Sequence, residues 1–103
     1  HALKQSSDRL NAQDFAERLM EEQKSKPYAA IVDYDGVASA TYTQNGNSVV
    51  LDFVYSVDAT TVVASGTTRP MKNVFVAVTW TNRYVAGQER EARVVQFETA
   101  VAE

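Results

Sequence analysis

The pair Asn45-Gly46 stands between two stretches that alternate with period two, and no other feature restricts the fold of this chain as tightly. A two-residue hairpin loop of type I′ needs positive φ at both central residues, which Asn and Gly accept at low cost. Centring the loop there puts Tyr42 opposite Val49, Ala40 opposite Leu51 and Ala38 opposite Phe53, all on one face. A slip by one residue would set apolar against polar throughout, so turn and pattern specify one register. Beyond the turn, Val49, Leu51, Phe53, Tyr55 and Val57 alternate with Val50, Asp52, Val54, Ser56 and Asp58.

The same grammar returns later. Residues 73–81 place Val74, Val76, Val78 and Trp80 on one side of a strand, with Trp80 expected in the core, and residues 92–101 do so with Val95, Phe97, Thr99 and Val101. A turn at Ala86-Gly87 sets Val78 opposite Val95 and Val76 opposite Phe97, and leaves Glu89-Arg90-Glu91 as a solvated tip. Residues 59–71 read as a looser connection with a short strand at 61–64, broken by Ser65-Gly66 and Arg69-Pro70.

Residues 1–26 differ from all of this. They contain no Gly, Pro, Val or Ile and are dense in good helix formers. Ala12, Phe15, Ala16, Leu19, Met20 and Gln23 fall on one stripe at 100° per residue, while Leu3 and Leu10 lie on a line pointing away from it. Lys24 and Lys26 suit the negative end of a helix, and Pro27 disfavours helical geometry at Lys26, so the helix should end there. The expected fold is α+β: a long N-terminal helix packed on one face of a four-stranded antiparallel meander. One domain covers the 103 residues, with the helix at 1–26, a connection at 27–36 and the sheet at 37–103.

Catalytic equipment is thin. His1 is the sole histidine and stands at the terminus, and there is no cysteine, so no disulfide, thiolate zinc site or cysteine catalysis is available. Asp33-Tyr34-Asp35-Gly36 has the look of an oxygen-ligand calcium loop, but no Glu follows at the spacing such a loop requires, and turn geometry accounts for it. Glu21 and Glu22 are adjacent on a helix and point in different directions, so they form no acid/base pair. The four glycines are isolated and cradle no phosphate. A net charge of −3 without a basic stripe argues against binding nucleic acid through its phosphates. No apolar run exceeds that of residues 74–78, where a spanning helix needs about 20 residues. The expectation is a chain that is not an enzyme and has no catalytic residue, metal, cofactor or small-molecule substrate.

Surplus apolar surface is the positive feature. Leu3 and Leu10 point off the core stripe, and Val50, Val54, Phe75 and Ala77 occupy the second sheet face, which no second helix covers. These are the candidate subunit contacts, with Arg83 and Tyr84 as a candidate partner loop.

The segment Asn11-Ala12-Gln13-Asp14-Phe15-Ala16-Glu17-Arg18-Leu19-Met20-Glu21-Glu22, closing with Lys24-Ser25-Lys26-Pro27-Tyr28, resembles the second half of a type IV pilin spine helix. Met71-Lys72-Asn73-Val74-Phe75-Val76-Ala77-Val78-Thr79-Trp80 and Arg93-Val94-Val95-Gln96-Phe97-Glu98-Thr99-Ala100-Val101-Ala102 are similar to late strands of minor pilins and type II secretion pseudopilins. The resemblance implies a non-catalytic minor pilin acting in filament initiation or assembly, adhesion, motility or DNA uptake, or alternatively a pseudopilin. It implies a pilin-like head whose apolar transmembrane half-helix would precede His1. It also implies pilin or pseudopilin subunits and the inner-membrane assembly platform as partners. The precursor would sit in the inner membrane through that half-helix and the mature protein in a pilus at the cell surface, or in the periplasm for a pseudopilin. Leu3 and Leu10 would pack against neighbouring helices. A different class also fits the element order: a small ligand- or protein-binding module of cystatin-like shape, its helix fully engaged with the sheet.

Overall fold

Helix α1 runs over Ser7–Ser25 in the computed structural model, which describes residues 7–44, 46–63, 66, 69–83 and 94–103. Four antiparallel strands follow in spatial order β1-β2-β3-β4: β1 (Tyr34–Gln44), β2 (Asn47–Val63), β3 (Pro70–Asn82) and β4 (Val94–Ala102). The meander is therefore as expected, but the described helix is not a long one; residues 1–6 of the expected 1–26 lie outside the described residues. The helix has 19 residues, about 28 Å at 1.5 Å per residue. The 17-residue β2 beneath it is far longer at about 3.3 Å per residue, approaching the 52 Å longest dimension of the molecule. Ser7 and Asp8 are residues that favour a helix start over a helix interior. The fold is a short helix on a strand-dominated sheet, which corrects the expectation of a long-helix, pilin-like head.

The strands are longer than their apolar alternation suggests. Residues 59 and 60, expected in a loose connection, and 61–63, expected in a short separate strand, continue β2, and β3 starts at Pro70 rather than at 73. Pro70, read as a breaker, occupies the first position of β3, where the missing N–H costs no ladder bond. The registers read from the sequence are those observed: Tyr42 faces Val49, Ala38 faces Phe53, Val78 faces Val95 and Val76 faces Phe97. Gly46 has φ of +80°, as the hairpin turn requires. The Ala86-Gly87 turn and the Glu89-Arg90-Glu91 tip lie outside the described residues.

The inner sheet face and the helix stripe bury each other. Ala12, Ala16, Leu19, Met20 and Gln23 are buried against Leu51, Phe53, Val57, Val74, Val76, Val78, Trp80 and Val95. Two alanines on the stripe let the helix approach closely, and Phe15 stacks on Phe53 with ring centroids 4.3 Å apart. Burial at about 25 cal/mol per Å² of apolar surface makes this interface the main source of stability. Buried Gln23 donates through its amide nitrogen to the Leu19 carbonyl at 3.2 Å and to the Tyr34 hydroxyl at 2.7 Å, while its Oε1 has no hydrogen-bond partner among the described residues.

The passage from helix to sheet is fastened from below. A 3-10 turn at Tyr28–Ala30 follows Pro27, and Ile31 drops into the core. Lys72 of β3 donates to the carbonyls of Tyr28 at 2.7 Å and Ile31 at 2.8 Å. Asp33 then accepts the Ala59 N–H at 2.6 Å, satisfying a β2 donor just past the end of β1. The Asp33-to-Gly36 segment is thus no loop: Tyr34, Asp35 and Gly36 belong to β1.

Candidate interaction surfaces

Among the described residues, three surfaces remain once helix and sheet have covered each other. The first is on α1. Leu10 is 51% exposed, off the buried stripe as its position on the helix wheel requires. Its neighbours nevertheless tie this turn to the sheet: Asp8 accepts from Gln44 at 2.8 Å and from Asn82 at 3.1 Å, and the Arg9 guanidinium lies over the Trp80 ring at 5.7 Å. Among the described residues, then, the helix engages the sheet from its first turn and does not overhang it. Leu3 lies outside the described residues.

The second surface is the outer face of the sheet. Val37, Val54, Thr79 and Val94 form one row across all four strands. Val37 is 75% exposed and Val54 58%. Val50, Phe75 and Ala77 share this face and are half-buried among their neighbours in the sheet. Beside this row a polar network joins β1 and β2 to the residue that follows β3. Ser39 donates to Asp52 at 2.6 Å, and Arg83 grips the same carboxylate with two nitrogens, at 2.6 and 3.2 Å. The hydrogen bonds from Arg83, then that from Ser39, hold the Asp52 carboxyl below the usual carboxylate range. Arg83, a candidate partner residue just past β3, is thus engaged with Asp52 of β2; Tyr84 lies outside the described residues.

The third surface had no signal in the sequence. A groove of about 460 Å³ lies between α1 and the edge of β4, lined by Glu17, Met20, Glu21, Lys24, Phe97, Glu98 and Thr99. Read singly, its charges are ordinary solvated positions; only the placement of the helix along β4 assembles them. Trp80 is buried in the core.

Among the described residues no group of three or more His, Cys, Asp or Glu could hold a metal ion, and no helix is long and apolar enough to cross a membrane. No protein-family model, no curated protein and no solved structure matches the chain.

Proposed function

We propose that the chain is a non-catalytic structural subunit of a protein assembly, of the filament-forming kind to which type IV minor pilins and type II secretion pseudopilins belong. The observation that carries this reading is apolar surface left over on two separate sides: Leu10 on the helix, and the Val37–Val54 row on the sheet. A subunit inside a filament needs contacts on more than one side, because a single patch closes into a dimer. The segments similar to late pilin strands supply β3 and β4, and the spine-helix-like segment supplies α1. The likeness to that family rests on these segments and on the order of the elements, not on the length of the helix.

The test is Leu10→Asp in cells of the source organism. Leu10 leaves the intramolecular core untouched, so the melting temperature of the isolated chain should change by less than about 2 °C. Filament yield, or secretion if the filament is a pseudopilus, should fall severalfold. Unchanged assembly, or a collapse of thermal stability, contradicts the proposal.

A second reading draws on the engagement of α1 with the sheet from its first described turn. That is the geometry expected of a small binding module, whose ligand would occupy the groove beside β4. Such a module retains binding as an isolated monomer, whereas a filament subunit acts only in the assembly.

A further inference from the structure

β4 is an outer strand of the sheet, and its ladder fixes which of its backbone groups are used. The Glu103 N–H donates to the Pro70 carbonyl at 3.3 Å, so these two residues form a hydrogen-bonded pair. Antiparallel alternation then turns the backbone of Val95, Phe97, Thr99 and Val101 toward β3. The N–H and C=O groups of Gln96, Glu98 and Ala100 point outward. Val94 obeys the same rule, its carbonyl accepting from Arg9 at 3.4 Å. No described residue pairs with the backbone at positions 96, 98 and 100. An open row of this kind is a template for another strand.

The other outer strand, β1, is open on the same argument, yet the two edges differ. Beside β4 the helix raises a wall, and the groove between them has an apolar floor in buried Met20 and half-buried Phe97. Its rim carries Glu17, Glu21 and Glu98 against a single cation, Lys24, which already meets Glu21 at 3.4 Å. An added strand would direct alternate side chains onto Met20 and Phe97 and the intervening ones past Glu98. We propose that this groove binds an extended segment of another protein, alternating apolar and basic residues, as a fifth strand on β4. Backbone bonds to Gln96, Glu98 and Ala100 supply register, the apolar floor supplies burial, and the carboxylates select Lys or Arg. The inference does not depend on the filament reading, since a monomer suffices for it.

The probe is a capped octapeptide alternating lysine and valine, titrated into the isotopically labelled 103-residue chain and followed by amide hydrogen exchange. Binding should slow exchange at Gln96, Glu98 and Ala100. A version methylated on alternate backbone nitrogens cannot complete the ladder and should bind at least about tenfold more weakly, a loss near 1.4 kcal/mol. The double variant Glu17→Gln with Glu98→Gln alters only exposed side chains and should bind the peptide about fivefold more weakly, with a reduced dependence on salt. Protection appearing at Val37, Ser39 and Thr41 instead would overturn the proposal, as would equal affinity for the methylated peptide or for one with glutamate in place of lysine. So would an absence of binding at millimolar peptide. Amides at 96, 98 and 100 that are already protected in the free chain would show that the chain occupies its own edge, which overturns it as well.

Discussion

Asp52 sits on the outer face of the sheet, where a carboxylate needs no partner, yet it has two, Ser39 and Arg83. Because both favour the ionised form, its pKa in the folded chain lies below the ordinary value of 3.8. A depressed carboxyl contributes stability above its unfolded pKa and loses it as pH falls through the folded one. The melting temperature of the wild type should therefore exceed that of Asp52→Asn near neutral pH, and the gap should close as the pH falls below 3.8 and on through the lower folded-state value. A gap that widens on acidification would refute this assignment. Solvent screens the pair, so the gap is a matter of a few degrees. The first hairpin's register already sets Ser39 opposite Asp52, but Arg83 reaches that carboxylate only through the pairing of β2 with β3, which no turn signal specified. Gly36 teaches the reverse lesson. Read as a turn glycine, it lies within β1 opposite Tyr55, and a Cβ there would come within 2.7 Å of the Tyr55 hydroxyl. The ring uses the space that a missing side chain leaves, a packing requirement that imitates turn chemistry in the sequence.

At the scale of elements, legibility followed the strength of local chemistry. Asn45-Gly46 with flanking alternation specified the β1–β2 register residue for residue, because a shift of one position would expose Leu51 and Phe53. The buried stripe of α1 was equally readable, since period 3.6 places Ala12, Ala16, Leu19 and Gln23 on one side. The ends were not. Ala59 to Val63 lack a strong alternation and pair because β3 lies beside them, and Pro70 begins a strand that its residue type argues against. Lys72 shows what such pairing achieves. Its ammonium holds the Tyr28 and Ile31 carbonyls and stands over the Tyr28 ring at 4.4 Å. Lys72→Met keeps the stem and removes those bonds, so it should destabilise the chain by about 2–3 kcal/mol in denaturant titration. It should also raise hydrogen exchange in residues 27–33 more than in the β1–β2 hairpin. Uniform acceleration across the molecule, or no loss of stability, would show that the connection is held by other contacts.

For the molecule as a whole, one helix suffices to cover one sheet face, and α1 is the only α-helix among the described residues. The opposite face keeps Val37 and Val54 in solvent, at a cost that a solitary soluble domain has little reason to bear as a contiguous row. That surplus was legible in the sequence as an arithmetic of faces, and the exposure of Leu10 as a matter of helical phase. The groove beside β4 was not, because it depends on where the helix lies across the sheet. The absence of cysteine makes the central claim directly measurable. A photoreactive maleimide attached to Leu10→Cys, and separately to Val54→Cys, reports what touches each surface in cells of the source organism. If the chain is an assembly subunit, both positions yield covalent adducts that mass spectrometry identifies as pilin-type subunits, whether copies of this chain or its relatives. Recovery of the labelled chain without adducts at both positions would contradict the account.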